Sequence, residues 1–206
     1  FGYAHVPHLI ARQRRIDVTA LPDKDARFAM AQAGYGQLLA AGYCPVGFDH
    51  FALPGDPLAV AAAEGRLHRN FQGFTDDAAP VLIGLGASAI SQFPDLLVQN
   101  EKNSGRYRMM VSQDSLPAVL GIRRTADDSR RGQVVEALLC QGRAVISPGL
   151  AHEAAPGLTP YCDAGLCAFA GDELVIAPGG LPYARSIAAQ FDPYRQQSSR
   201  RFSSAI

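Results

Sequence analysis

The region that most constrains the fold is residues 42–91, where short apolar runs repeatedly end in polar or glycine-rich chain. Three pieces show this pattern, residues 42–52, 67–75 and 83–91. Apolar runs of this kind indicate strands that deliver side chains to one rim of an α/β structure. Polar side chains concentrate in the same region, namely His50, His68, Arg69, Asn70 and Gln72. The pattern alone therefore predicts a rim that binds a polar or acidic ligand.

Composition narrows the class of protein. The chain has 206 residues, of which 48% are apolar and 18% charged, so we expect one large folded domain or two small ones. Its 19 basic and 19 acidic residues balance, which gives no support for a nucleic-acid or anionic-membrane partner. No run approaches the roughly 18 apolar residues of a membrane span. The first residues resemble the middle of a strand rather than a signal peptide.

Cysteine spacing predicts no metal site. Two cysteines three positions apart, the spacing of zinc and redox sites, occur nowhere in the chain, and iron–sulfur runs are absent too. We therefore expect scattered buried thiols in a reducing cytosol. The four cysteines are Cys44, Cys140, Cys162 and Cys167.

The first half of the chain carries clear helix signals. Asp23 is expected to cap a helix over residues 24–41 that ends at Gly42. A strand over residues 43–48 follows, and with the aromatic run at residues 1–6 this order is typical of a parallel strand–helix–strand unit. Asp56 and the proline after it begin a second helix, which leads into residues 68–74.

The second half begins with a capping box. Thr125 and Asp128 predict the start of a helix that runs to about Gln141. Beyond it we expect a helix over residues 158–170, a strand over 173–177 and a turn over 178–180. A last helix over residues 182–190 and a frayed tail over 196–205 complete the prediction.

Residues 81–89 also match a dinucleotide-binding fingerprint. Gly84, Gly86 and Ala89 have the G-x-G-x-x-A spacing after an apolar run. However, the chain that follows, residues 99–103, is predicted to be a polar loop, and no strand–helix–strand unit with a ribose-binding acid is evident. The sequence therefore disfavours a Rossmann fold.

The same three pieces, together with residues 1–7, resemble the second half of oxygen-independent coproporphyrinogen III oxidase, a radical S-adenosylmethionine (SAM) enzyme of haem biosynthesis. The phrase His68-Arg69-Asn70-Phe71-Gln72-Gly73 is specific to that family. The resemblance is continuous to about Asn100 and patchier beyond it. The sequence departs from the family's pattern at three positions, Gly132, Gln141 and Gly142. Family members are about twice as long, so we expect a fragment or a truncated relative.

The resemblance implies a fold and a chemistry. It implies an α/β fold with the last part of a partial βα barrel over residues 1–110 and a mostly helical, winged-helix-like accessory domain over residues 111–206. The intact enzyme would cleave SAM at a 4Fe-4S cluster and oxidatively decarboxylate two propionates of coproporphyrinogen III to vinyl groups. The cluster ligands are not in this chain, so we expect the chain alone to be inactive.

Site residues divide into two groups. The resemblance implies that four residues lie beside SAM: Ala4, Phe71, Gln72 and Ile90. Our own candidates for the substrate's propionate carboxylates are His68, Arg69 and His50, because a guanidinium fork suits a carboxylate. No metal-binding residue is predicted.

Two alternatives stay open. The chain could be a non-catalytic truncated binding module, or a haem-chaperone relative of the same superfamily. The His-Arg-Asn-Phe-Gln-Gly phrase favours the oxidase. For either branch we expect a cytoplasmic protein with no nucleic-acid or membrane partner. The intact enzyme is expected to be monomeric, whereas a barrel fragment with exposed strand edges is expected to self-associate.

Overall fold

The computed structural model describes residues 5–7 and 10–197 as a mixture of short helices and small sheets. The α-helices are α1 (Lys24–Ala40), α2 (Pro57–Ala63), α3 (Ser104–Ser112), α4 (Ala126–Gln141), α5 (Pro148–Asp163), α6 (Ala184–Ala188) and α7 (Pro193–Gln197). The strands are β1 (Cys44–Val46), β2 (His50–Ala52), β3 (His68–Arg69), β4 (Phe74–Thr75), β5 (Ile90–Gln92), β6 (Leu96–Asn100), β7 (Ala118–Arg123), β8 (Arg143–Val145), β9 (Cys167–Ala170) and β10 (Glu173–Ile176). Short 3-10 helices occupy Ala11–Arg15, Val18–Ala20, Pro178–Tyr183 and Ala189–Phe191.

The strands form four small sheets, β1-β2, β3-β4, β5-β6-β7 and β8-β10-β9. Every strand pairing among the described residues is antiparallel. Among the described residues, the parallel strand–helix–strand unit expected around the first helix is not formed, and β1 pairs with its sequence neighbour β2 in a tight hairpin. Residues 1–4 of the expected first strand lie outside the described residues, and His5 and Val6 are not in a strand.

The helix prediction for the first half is confirmed. Asp23 Oδ1 accepts the Ala26 N–H at 2.8 Å, and α1 ends before Gly42, whose φ of +86° favours glycine. Asp56 caps α2 in the same way, with Pro57 in its first turn. No residue of α1 is buried, and ring contacts such as Tyr35 on Phe51, at 5.2 Å between centroids, attach it to the hairpin.

In the second half the capping box is confirmed and one helix is displaced. Thr125 and Asp128 bond reciprocally at the start of α4. The helix expected over residues 158–170 instead runs from Pro148 to Asp163. It ends there because Gly165 adopts φ +68°, and β9 then takes residues 167–170. Helix α5 accommodates two prolines inside it, Pro156 and Pro160.

Residues 173–177 form the expected strand, β10, over all but the last position. The expected turn at 178–180 is part of a 3-10 helix, and the last helix begins two residues later than predicted, at Ala184. Residues 198–205 of the expected frayed tail lie outside the described residues.

The glycine-rich segment, expected among the strands of residues 83–91, is a loop until Ile90. Only Leu82 makes a single bridge, to Gln92, and the strand β5 begins at Ile90, after the glycines. Because β5 turns directly into antiparallel β6, no Rossmann unit is formed. Gln99 and Asn100, expected in a loop, are the last residues of β6.

Two hydrophobic cores hold the described chain together. The larger one lies between α4, α5, α6 and the sheet β8-β10-β9, and its fully buried residues include Leu138, Leu158, Leu174, Ile187 and Phe191. The smaller one lies under β1, β2 and α2, and α4 contributes Cys140 to it. Helix α4 therefore packs into both cores. A strand pair, β6-β7, crosses residue 110, and the division into two domains near that position stays a prediction.

The sequence predicts scattered cysteines, but two of the four lie together in the structure. The Sγ atoms of Cys162 and Cys167 lie 3.6 Å apart at the edge of the larger core. Within the described part of the chain, no helix is both long enough and apolar enough to cross a membrane.

Candidate functional site

The turn between β3 and β4 presents Phe71 and Gln72, two of the four residues that the resemblance places beside SAM. Asn70 shapes this turn, because its Oδ1 accepts the N–H groups of Gln72 at 2.8 Å and Gly73 at 3.2 Å. Its own N–H donates to the Gly73 carbonyl at 3.0 Å. Phe71 and Gln72 are consequently displayed at the tip, and the Phe71 residue remains 52% exposed.

Phe71 and Ile90 meet at one cavity. It has a volume of about 110 Å³ and lies on one face of the sheet β5-β6-β7. Alternation along the strands places most of the other lining side chains on this face, and they are mainly apolar: Leu97, Gln99, Leu120 and Ile122. Val98 also contributes to the lining. The structure thus brings together two of the four predicted SAM residues. Gln72 does not line this cavity, and Ala4 lies outside the described residues.

The carboxylate candidates gather around Phe74 instead. The Arg69 guanidinium carbon lies 5.0 Å from the centroid of the Phe74 ring and 5.5 Å from that of Phe48. The His50 ring meets Phe74 edge-on at a centroid distance of 5.0 Å. The two Arg69 contacts hold its guanidinium by attraction to the aromatic faces. Arg69 and His50 therefore share one aromatic support.

Backbone geometry makes room for this aromatic cluster at Gly47. A Cβ at this position would lie 2.1 Å from the Phe74 ring, and Gly47 has φ +60°. Only glycine lets the β1-β2 hairpin approach the ring so closely. One nitrogen of Arg69, Nη1, is buried and makes no hydrogen bond within the described residues.

Helix α4 fixes the same segment from the other side through Glu136. Its Oε1 accepts the Arg69 backbone N–H at 3.0 Å and lies 3.2 Å from His68 Nδ1. His50 Nδ1 has a carboxylate neighbour as well, Asp49 at 2.7 Å. Sequence reasoning missed Glu136, because 68 positions separate it from His68 and no local pattern links them.

Burial keeps the Cys140 thiol protonated. Burial raises the pKa of the Cys140 thiol to about 12; the Glu136 carboxylate adds to this shift, and Arg69 opposes it. The thiol is therefore neutral and a poor nucleophile. In residues 5–7 and 10–197, no group of three or more His, Cys, Asp or Glu side chains could hold a metal ion.

The glycine-rich loop is held from within the chain. Asn100, at the buried end of β6, donates from Nδ2 to the carbonyls of Gly84 and Gly86, at 3.0 Å each. The Gly86 N–H donates to the Tyr107 hydroxyl at 3.1 Å. A Cβ on Gly84 would lie 2.6 Å from the Ile90 carbonyl oxygen, so close packing against β5 already requires a glycine. The loop thereby positions Ile90 at the cavity.

The chain is similar to known proteins along almost its whole length. The oxygen-independent coproporphyrinogen III oxidase of Bradyrhizobium diazoefficiens is 38% identical over 215 aligned positions, which cover 100% of this chain and 48% of that protein. The Salmonella typhimurium enzyme of the same name is also 38% identical, over 97% of this chain and 46% of its own length. A scan against models of known protein families found no match.

A solved structure gives the same result. Coproporphyrinogen III oxidase from Escherichia coli, described as a radical SAM enzyme, superposes with a TM-score of 0.84 at 34% identity. The superposition covers 93% of this chain and 46% of that one. The chain thus spans about half the length of the relatives it matches. It is homologous to the carboxy-terminal part of the oxygen-independent coproporphyrinogen III oxidases.

Proposed function

We propose that this chain supplies the carboxy-terminal half of a cytoplasmic oxygen-independent coproporphyrinogen III oxidase. The intact enzyme would decarboxylate two propionates of coproporphyrinogen III and give protoporphyrinogen IX in haem biosynthesis. The observation that carries the proposal is the 38% identity to a protein of that name along the entire chain. The convergence of Phe71 and Ile90 on one cavity supports it.

Within that enzyme, the cavity at Phe71 and Ile90 would contribute one wall of a SAM site. Apart from Gln99 its lining is apolar, and such an apolar surface suits the flat face of an adenine. At about 110 Å³ the cavity is too small to enclose SAM, so residues of the amino-terminal half must complete the site. Gln72, exposed at the adjacent turn, would add a side-chain amide for hydrogen bonding. Bound SAM would supply the radical that takes a hydrogen from the substrate, with a 4Fe-4S cluster whose ligands are not among these residues.

Substrate binding would fall to Arg69 and His50 at Phe74. Coproporphyrinogen carries four propionates, and the guanidinium of Arg69 can pair with a carboxylate in a planar, bidentate manner. Its buried, unpartnered Nη1 supports a role with an external anion rather than in an internal ion pair. His50 shares the Phe74 ring, while Glu136 would keep the neighbouring His68 oriented.

We also propose the finer architecture. The helix–strand–helix–strand–strand order α4-β8-α5-β9-β10, with a three-stranded antiparallel sheet, supports a winged-helix-like accessory unit after about residue 110. Residues before it would complete part of a βα barrel. The accessory unit would serve the enzyme by holding the β3-β4 segment through Glu136.

A chimaeric enzyme tests the proposal. The chain would be joined to the amino-terminal half of the Bradyrhizobium diazoefficiens relative and assayed anaerobically for protoporphyrinogen IX formation. We expect turnover by the unsubstituted chimaera and a loss of at least tenfold in SAM affinity for Phe71→Ala. Phe169→Ala is the matched control, because Phe169 is a similarly exposed phenylalanine on β9, in a different sheet. A folded chimaera that binds neither SAM nor substrate would contradict the proposal.

The carboxylate candidates call for a separate comparison in the same chimaera. Arg69→Ala is expected to raise the KM for coproporphyrinogen while leaving the affinity for SAM unchanged. His152→Gln, at an exposed position of α5, is the control for His68→Gln. Unchanged kinetics for both Arg69→Ala and His68→Gln would refute their assignment to substrate.

Haem titration separates the remaining alternatives. A stoichiometric Soret shift with no decarboxylation would favour a haem chaperone, and neither activity would favour a binding module. Self-association also belongs to the proposal, since every residue of the edge strand β7 is exposed, including Leu120 and Ile122. A monodisperse monomer by light scattering would argue against it.

A further inference from the structure

Two cysteines that the proposed function does not use are placed in direct contact. Cys162 lies in the last turn of α5 and Cys167 is the first residue of β9. Their Sγ atoms are 3.6 Å apart, the separation of two thiols in van der Waals contact. A disulfide requires about 2.05 Å, so rotations of the two side chains have to close roughly 1.5 Å.

The backbone holds the pair in this position. The turn after α5 is closed by two hydrogen bonds, Gly165 N–H to the Cys162 carbonyl at 2.9 Å and Leu166 N–H to the Tyr161 carbonyl at 2.9 Å. On the other side, Cys167 pairs with Ile176 of β10. Both sulfurs therefore meet without any rearrangement of the fold, which gives each a high effective concentration at the other.

The two thiols differ in access. Cys167 is only 2% exposed and belongs to the larger core, whereas Cys162 is half-buried at its edge. Burial also raises the pKa of Cys167 to about 12, with Cys162 contributing to the shift. An oxidant arriving from solvent therefore reaches Cys162 first, and Cys167 is the thiol that acts afterwards.

We propose that Cys162 and Cys167 form a dithiol site that undergoes thiol–disulfide exchange with small-molecule disulfides of the oxidised-glutathione type. The Cys162 thiolate attacks one sulfur of the reagent, forming a mixed disulfide and releasing one reduced thiol. Cys167, which its raised pKa keeps mostly protonated, then loses its proton to solvent, and its thiolate attacks Cys162 Sγ and displaces the second reduced thiol. Contact with that sulfur at 3.6 Å, which Cys140 lacks, offsets the small thiolate fraction. Two protein thiols are oxidised by two electrons, and one reagent disulfide is reduced to two thiols. This site is independent of the proposed function.

Thiol counting on the folded 206-residue chain tests the proposal. The reduced protein is incubated with excess oxidised glutathione, quenched with acid, and alkylated with N-ethylmaleimide in denaturant before intact-mass measurement. We expect alkylation to fall from four thiols to two, with the remaining mass lower by two hydrogens and a Cys162–Cys167 link in the peptide map. Reduction with dithiothreitol should restore all four.

Single substitutions give matched controls. Cys162→Ser should abolish the intramolecular product, whereas Cys44→Ser, at another half-buried cysteine, should leave its yield unchanged. Cys167→Ser should abolish the intramolecular product as well. If this substitution of a buried residue disturbs folding, the Cys162→Ser result and the peptide map decide the question. Four thiols still free after oxidation, a stable glutathione adduct at Cys162, or a link that requires Cys44 or Cys140 would each overturn the proposal.

Discussion

Replacing Glu136 by alanine tests the link between α4 and the β3 segment. The substitution removes the acceptor of the Arg69 N–H and the carboxylate beside His68. A hydrogen bond to a charged group contributes about 1.5–3 kcal/mol to stability. The Glu136 side chain is 37% exposed, so water replaces part of what is lost. The half-exposed histidine contact adds little. We therefore expect a loss of about 1.5 kcal/mol, or roughly tenfold in the unfolding equilibrium constant.

Equilibrium unfolding in urea measures this loss. With a denaturant dependence of about 2 kcal/mol per molar, the midpoint should fall by about 0.7 M. The chain has no tryptophan, so tyrosine fluorescence and circular dichroism serve as the two probes, and their transitions should coincide. Glu136→Gln keeps a side-chain carbonyl that can accept the same N–H, and we expect less than half of the loss.

Glu64→Ala is the matched control. Glu64 pairs with Arg66 at an exposed position, and removal of such a pair should change stability by no more than about 0.5 kcal/mol. Equal effects of Glu136→Ala and Glu64→Ala would refute the view that Glu136 anchors the segment. An equal loss in Glu136→Gln and Glu136→Ala would show that charge, rather than the acceptor geometry, is responsible.

Two further predictions concern glycines and acid stability. Gly84→Ala should destabilise the chain by about 1–3 kcal/mol, because the added Cβ would lie 2.6 Å from the Ile90 carbonyl oxygen. Gly132→Ala should instead stabilise α4 by about 0.5–1 kcal/mol, because no atom lies within 4 Å of the added Cβ. Thermal unfolding of the two variants distinguishes these opposite signs. Hydrogen bonds from Arg131 and Arg130 lower the pKa of Asp127 below its ordinary 3.8. As the pH falls, Asp127 is protonated in the unfolded chain first, so the stabilisation present above pH 3.8 is lost below it. Asp127→Asn should reduce this loss of stability in acid, measured as unfolding midpoints over a pH series, and an unchanged loss would contradict the assignment.

Capping residues illustrate what local chemistry could predict. Asp23, Asp56 and Thr125 each satisfy a free N–H within three residues, so their helices begin where the sequence indicates. The β-strands are harder to predict, because every described strand spans only two to six residues and carries no long alternation. Residues 167–170 were assigned to a helix for this reason.

The candidate site shows the same division. The sequence singles out His68, Arg69, Phe71 and Gln72 by their phrase, yet it cannot say which of them share a surface. The structure separates them across the Asn70 turn. Phe71 lies with Ile90 at the cavity on the sheet, whereas Arg69 lies with His50 at the Phe74 ring. Residues that are adjacent in sequence therefore belong to two different sites.

The sequence by itself determined the helix starts, the polar segment 67–75 and the resemblance to one enzyme family, because these depend on contacts within a few residues or on the residues' identity. Only the tertiary structure decided that Glu136 meets His68, that Phe71 meets Ile90 and that Cys162 meets Cys167. The first two pairs are distant in the chain, and the third depends on the position of a helix end. Such contacts depend on how whole elements pack against one another, which no local pattern encodes.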